Sequence, residues 1–221
     1  MNDLCVVSLN ARGMNSFEKR QKIYDWLRDT NVHIALIQET HYIEKNELKY
    51  NSRWFGKIFH AFSNSPYARG VSVLFNNVDV DVENVHKTQD GRILLLNIII
   101  QNNAYTIVNV YSPNADVERV SFFKKVRTYI SKYARHIDKM ILGGDFNCVF
   151  ELTDRKSKIV HTDKSTNILL ETLDNFYLND TWKKIHNSKC GFTWCDSSNT
   201  PASRIDYVRK SNDFSKNLKK K

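Results

Sequence analysis

The chain has 221 residues, 41% hydrophobic and 12% aromatic, the composition of a globular domain with a sizeable core, which excludes an intrinsically disordered chain. Seven glycines and three prolines are too few for turn-rich repeats or long linkers, and no apolar run is long enough to span a bilayer. The net charge is +9, with seven basic residues against two acidic ones from Arg204 onward, so an acidic partner is expected, nucleic acid before an anionic membrane surface.

Leu4–Leu9 reads as a first strand, with no export-signal pattern ahead of it. Ser16 is an N-cap candidate, and Ile23, Trp26 and Leu27 recur at helical spacing, which predicts a helix from about Phe17 to Asp29. The run Val32–Ile37 is continuously apolar, as in a strand buried on both faces, and ends in Gln38-Glu39-Thr40. Strand-like segments follow at Trp54–Ala61, Gly70–Phe75, Val78–Val85, Arg92–Ile100 and Ala104–Tyr111. The turns between them are short and polar (Asn76-Asn77, Gln89-Asp90-Gly91, Gln101-Asn102-Asn103), a spacing that predicts antiparallel neighbours. Val120, Phe123, Val126 and Ile130 mark one face of a helix near Val117–Tyr133, and Met140-Ile141-Leu142 is a strand running into Gly143-Gly144. A helical pattern over Thr166–Leu178 and late strands at Gly191–Cys195 and Arg204–Val208 complete a single domain of the mixed α/β class. Cys5, Cys148, Cys190 and Cys195 read as free thiols of a reducing compartment, because His186, Cys190 and Cys195 lack the paired spacing of a zinc site.

Open α/β sheets put their chemistry at the carboxyl ends of strands. Here those ends carry Asn10, then Gln38 and Glu39, Tyr111 and Asn114, Asp145 and Asn147, and finally Asp206. Taken singly, Asn and Asp end strands because they tolerate turn dihedrals and bond their own backbone. Taken together, acids, amides and a phenol suit phosphodiester hydrolysis, which needs phosphoryl charge neutralised and a water aligned. Hard carboxylate oxygens suit Mg²⁺, and Glu39 fits that role, while Asn amides and a tyrosine hydroxyl donate to phosphate without adding charge. No P-loop, GxSxG or HExxH pattern supports a rival chemistry.

The ordered series SLNARG, LIQET, VNVYSPN, GGDFN and SRID, from about residue 4 to about residue 210, resembles the exonuclease–endonuclease–phosphatase superfamily. It is most similar to the apurinic-like endonuclease domain of non-LTR (LINE-type) retrotransposons. The resemblance implies a DNase I-like, four-layered α/β sandwich, two mixed β-sheets packed face to face with helices outside. It also implies Mg²⁺-dependent nicking of double-stranded DNA, with Mn²⁺ as a substitute, leaving a 3′-hydroxyl that primes reverse transcription. The expected setting is a nuclear polyprotein with further domains such as reverse transcriptase, monomeric and without membrane contact.

By the same resemblance, Glu39 binds the metal and Asn10 supports that site, Tyr111 and Asn147 contact the scissile phosphate, and Asp145 orients or activates the water. Thr193 matches a polar position near DNA, and Ser203 and Asp206 match a motif whose aspartate holds a histidine in a terminal Ser-Asp-His strand. All seven histidines precede Asp206, so the chain is expected to lack that last strand. An abasic-site repair endonuclease and a catalytically impaired DNA-binding module are the alternatives.

Arg69, Asn114 and Arg155 are further candidates for DNA contact; for the two arginines the ordinary reading is a solvated surface cation. Trp182 and Trp194 could stack on bases, although tryptophans in apolar strands usually pack in the core.

Overall fold

The computed structural model describes residues 4–156, 163–186, 191–197 and 201–211. Its first half contains β1 (Val6–Asn10), α1 (Phe17–Asp29), β2 (Ile34–Gln38), α2 (Glu47–Asn51), β3 (Ile58–Ala61), β4 (Val71–Phe75), β5 (Asp81–Lys87), β6 (Ile93–Ile100) and β7 (Asn103–Tyr111). There follow α3 (Asp116–Tyr133), β8 (Met140–Asp145), β9 (Arg155–Lys156), α4 (Lys164–Asn175), β10 (Asn179–Asp180), α5 (Thr181–His186), β11 (Trp194–Cys195), β12 (Ala202–Ser203) and β13 (Asp206–Lys210). One sheet has the strand order β1-β2-β4-β3, a second β10-β13-β8-β7-β6-β5, and β11-β12-β9 form a small third sheet.

The continuous apolar runs are explained by burial on both faces. Side chains alternate along a strand, so Ile34 and Leu36 of β2 point between the two large sheets while Ala35 and Ile37 point to the helical side. In β6, Leu94, Leu96 and Ile98 face the other sheet, while Ile93 and Leu95 pack with Phe123, Val126 and Ile130 of α3 and Leu169 and Leu173 of α4. The outermost layer on the first sheet brings Tyr24 and Leu27 of α1, with Tyr50 of α2, onto Ala35, Ile37 and Leu74. The result is helix, sheet, sheet, helix, the expected DNase I-like four-layer sandwich, with each buried Leu or Ile contributing about 1.5–3 kcal/mol.

Helix α1 starts where its sequence signals place it. The Ser16 hydroxyl accepts from the Lys19 N–H at 3.4 Å, a cap that satisfies one of the free donors of the first turn. The expected strand at Trp54–Ala61 begins only at Ile58, because Trp54 folds into the core and donates from Nε1 to the Phe75 carbonyl at 3.2 Å. The expectation that successive middle strands are antiparallel neighbours holds for β3–β4, β5–β6 and β6–β7 but fails at β4–β5. Buried Asn76 is the reason: it donates to the Val32 carbonyl at 3.0 Å and its N–H to the His33 carbonyl at 2.9 Å. That bonding ends β4 against the α1–β2 junction, and the chain then crosses to the second sheet.

Part of the basic C-terminal stretch expected to meet an acidic partner is not at the surface. Arg204, Arg209 and Lys210 are buried, Arg204 and Arg209 against Asp180, so they are structural cations and not a solvated face. Lys216, Lys219, Lys220 and Lys221 lie outside the described residues. Strand β1 forms an outer edge of its sheet, and its five residues are half-buried where those of β2 are fully buried. Among the described residues no helix is long and apolar enough to cross a membrane.

Candidate active site

Register brings the candidate residues together. Strands β1 and β2 run parallel with Asn10 beside Gln38, so Glu39 emerges at the same edge as Asn10. In the second sheet β7 and β8 run parallel with Tyr111 beside Asp145, and antiparallel β13 sets Asp206 opposite Asp145. Asp206 therefore opens its strand rather than ending it, and it reaches the shared edge because β13 runs the other way.

Asn10 ties the two sheets together at this edge. Its Nδ2 donates to Glu39 Oε1 at 2.7 Å and to Asp145 Oδ2 at 2.8 Å, while its Oδ1 accepts the Arg12 N–H at 3.0 Å. Only this orientation of the amide gives both carboxylates a donor. Asp145 Oδ1 accepts the Asn147 N–H at 2.9 Å, and the Asn147 amide donates to the Ser112 carbonyl at 3.0 Å. The Tyr111 hydroxyl bonds to Glu39, and burial together with that carboxylate pushes the phenol pKa well above its usual value, so it remains a proton donor.

The Gly143-Gly144 corner is a packing requirement. A Cβ on Gly144, whose φ is 141°, would lie 1.9 Å from the Val110 carbonyl oxygen, and one on Gly143 would lie 2.5 Å from Leu36 Cδ1. Beyond it Phe146 turns inward among Phe123, Phe150 and Tyr207, and the residues on either side of it, Asp145 and Asn147, bond to each other at the shared edge.

The carboxylates are electrostatically loaded. Burial, and then the Asp206 charge, push the Asp145 pKa up; burial likewise pushes Asp206 up, against hydrogen bonding from Thr193 and the nearby Arg12 charge. Asp206 Oδ1 is buried with no hydrogen-bond partner. These two buried, under-compensated carboxyls lie near Glu39, and hard carboxylate oxygens are what Mg²⁺ takes one or two of. Among the described residues no group of three or more His, Cys, Asp or Glu is placed to hold a metal ion. Asn10 can offer such a cation only its Oδ1.

Of the remaining candidates, Thr193 belongs to this edge, its hydroxyl accepting the N–H groups of Ile205 and Asp206, each at 3.1 Å. Ser203 is buried in β12, where its carbonyl accepts the Thr193 N–H at 3.0 Å, so it positions Thr193 through the backbone. Asn114 is exposed ahead of α3 and its carbonyl accepts from Arg119. Arg155 pairs with Asp163 at 3.7 Å, and Arg69 is exposed. Trp182 and Trp194 are 40% and 37% exposed, so core packing is not their role; the Trp182 ring lies 3.9 Å from that of His186.

Sequence reasoning passed over Arg12 and His41. Arg12 lies near enough to Asp206 to oppose the rise that burial imposes on its pKa, and His41 Nε2 sits 3.5 Å from Glu39 Oε2, buried and with no hydrogen-bond partner. Arg12, Glu39, His41, Arg69 and Asn147 all adopt left-handed backbone, with φ of 46°, 50°, 59°, 63° and 49°. Such strain collects where surrounding structure over-determines a functional geometry. Their neighbours in sequence carried no signal for this beyond Gly13 and Gly70.

Residues 7–215 match the Endonuclease/Exonuclease/phosphatase family. The chain belongs to this family. Among curated proteins, the Transposon TX1 uncharacterized 149 kDa protein of Xenopus laevis is 27% identical over 209 residues. That match takes in 93% of this chain but 16% of the TX1 protein, so the chain spans about one-sixth of that relative. The endonuclease domain of TRAS1, a telomere-specific non-LTR retrotransposon, is 20% identical, covering 96% of this chain and 86% of that one with a TM-score of 0.65. An AP endonuclease from Archaeoglobus fulgidus is 16% identical, with coverages of 95% and 87% and a TM-score of 0.73. The 3′ phosphatase NExo from Neisseria, bound to product DNA hairpin, is 16% identical, with coverages of 99% and 90% and a TM-score of 0.76. At these identities the solved structures establish a shared fold, and this family member carries the family's architecture across nearly its whole length.

Proposed function

We propose that this member of the endonuclease/exonuclease/phosphatase family nicks one strand of double-stranded DNA and leaves a 3′-hydroxyl, as the endonuclease module of a LINE-type retrotransposon. The observation that carries the reading is the single Asn10 amide bonded to both Glu39 and Asp145, with Asp206 directly across the ladder. That arrangement brings Glu39, Asp145 and Asp206 to the same edge of the two sheets. The similarity to the TX1 protein and to the TRAS1 endonuclease domain supports the retrotransposon setting.

In this reading Glu39, with Asn10 Oδ1, would hold a Mg²⁺ ion, and the ion when bound would supply charge neutralisation for the phosphoryl oxygens and the leaving group. Tyr111 and Asn147 donate hydrogen bonds to the phosphate; the Tyr111 phenol stays protonated across the working pH range. Asp145, whose pKa burial and Asp206 raise, takes the proton of the attacking water once it is ionised. The water oxygen forms the new bond to phosphorus as its proton passes to Asp145, the P–O3′ bond breaks, and the 3′-oxygen leaves and takes a proton from solvent water. Asp206, hydrogen-bonded by Thr193, acts through its charge, raising the pKa of Asp145 and so setting the pH above which Asp145 can serve as the base.

The test is end chemistry on defined duplexes. With Mg²⁺, the nicked strand is expected to be extended by a polymerase without prior phosphatase treatment. Ends that cannot be extended contradict the reading, and cutting confined to duplexes with an abasic site assigns the chain to repair-type chemistry.

A further inference from the structure

Next to the site lies a cleft of about 380 Å³ whose walls include Arg69, Arg92, Lys125, Asp90 and Glu118, with Phe122 beneath. It is wired to the candidate site by backbone. The Arg69 carbonyl accepts the His41 N–H at 2.8 Å and the Gly70 carbonyl the Thr40 N–H at 3.0 Å, so the loop carrying Arg69 is fixed to the segment that presents Glu39. On the other wall the Tyr111 N–H donates to the Arg92 carbonyl at 2.9 Å, the Arg92 guanidinium returns a bond to the Tyr111 carbonyl at 3.0 Å, and it lies 5.0 Å from the Tyr111 ring centre.

The charges in this cleft are unequally matched. Lys125 and Asp90 neutralise each other at 3.0 Å. That leaves two guanidiniums facing one exposed carboxylate, Glu118. Burial and the neighbouring Arg69 charge both push Arg92 down from its usual pKa. Arg69 makes no side-chain hydrogen bond or ion pair among the described residues, yet its backbone is held at a φ of 63°. Strained backbone presenting an unpartnered guanidinium beside a second one is a geometry that lacks only an anion.

We infer that the Arg69–Arg92 cleft seats a second phosphate of the substrate strand, next to the phosphate that reaches Tyr111. This rests on the DNA-cutting reading and adds to it a phosphodiester subsite that fixes the strand's register. Arg92 then couples the two, since the same side chain touches the subsite and the backbone of Tyr111.

The experiment uses duplexes in which phosphates flanking the cut are replaced one at a time by neutral methylphosphonates. Binding and single-turnover nicking are measured for the wild type, Arg69→Asn and Arg92→Gln. Asparagine tolerates left-handed backbone and position 69 is exposed, so Arg69→Asn is expected to keep the fold. One flanking methylphosphonate should weaken wild-type binding several-fold, and the same substitution should change nothing further in Arg69→Asn. The variant's affinity should also lose about one from its logarithmic salt slope. Methylphosphonate effects of equal size in wild type and both variants overturn the inference while leaving the DNA-cutting reading intact. Competition by inorganic phosphate at fixed ionic strength, with no position-specific methylphosphonate effect, also overturns it and points to a free anion. A wild type that neither binds nor nicks the unmodified duplex removes both readings together.

Discussion

Asp206 stands directly opposite Asp145 across the β8–β13 ladder, both carboxyls largely buried, with neither offered a cation by hydrogen bond. Like charges as direct cross-strand partners oppose the sheet that holds them, and the shift of both pKa values upward expresses that opposition. The native state accordingly binds more protons than the unfolded chain above the ordinary carboxylate pKa of about 3.9. Stability contributed by this pair is therefore present at acid pH and falls as pH climbs through the raised values toward neutrality. Thermal unfolding of Asp145→Asn followed from pH 5 to pH 8 is expected to show a smaller decline than wild type, with the variant the more stable at pH 8 by on the order of 1 kcal/mol. Parallel curves for the two proteins would refute the electrostatic reading.

Nicking should run the other way with pH. A carboxyl raised by burial is useful as a base only once ionised, so the rate constant with saturating metal should rise from pH 5 toward neutrality before levelling. A rate that falls over that interval would assign the base elsewhere.

Asn10 holds Glu39 and Asp145 at 2.7 and 2.8 Å, so its removal takes away the one donor that the two carboxylates share. Asn10→Ala is expected to lower the nicking rate by about 10²–10³-fold, the scale of losing a preorganised polar contact at a reacting centre. Asn10→Asp should do worse, since it replaces the shared donor with a further negative charge. A rate for Asn10→Asp equal to wild type would show that the amide donor is dispensable.

Arg204 makes a different demand. It is buried, bonds to Asp154 at 3.0 Å and to Asp180, and lies 4.5 Å from the centre of the Tyr207 ring. Arg204→Ala removes the cation shared by two buried carboxylates, leaving Asp180 with Arg209 at 3.4 Å and Asp154 with Lys183 at 3.6 Å. It is expected to cost about 3–5 kcal/mol in urea unfolding, independent of added metal. A fully stable variant with lost activity would instead mark Arg204 as a DNA contact.

Gly144→Ala should fail to fold, because a methyl 1.9 Å from the Val110 oxygen cannot be accommodated by a side-chain shift. Soluble expression with wild-type circular dichroism would contradict the β7–β8 packing.

Much of this was legible in the residues. Buried strands announced themselves as apolar runs, and the ordered motifs at their ends pointed to Asn10, Glu39, Tyr111, Asp145, Asn147 and Asp206, which the fold brings to one edge. What stayed hidden depends on long-range contacts. Gln38 and Asn109 are 71 residues apart and meet in the core at 2.7 Å, with Asn109 also donating to the Ile37 and Ser72 carbonyls. Neither sits in a pattern that marks a buried inter-sheet amide link. The sheet change after β4 rests on Asn76, which in sequence looks like an ordinary turn residue. Arg204 and Arg209 were counted as surface charge because Asp154 and Asp180, their buried partners, lie too far away in the chain to be read as such.

The most direct test is nicking of supercoiled plasmid with Mg²⁺, alongside EDTA and Asp145→Asn. The account predicts conversion to the open circular form by the wild type, none with EDTA, and a loss of at least a hundredfold in Asp145→Asn. Nicking that persists in EDTA, or at the wild-type rate in Asp145→Asn, would contradict it.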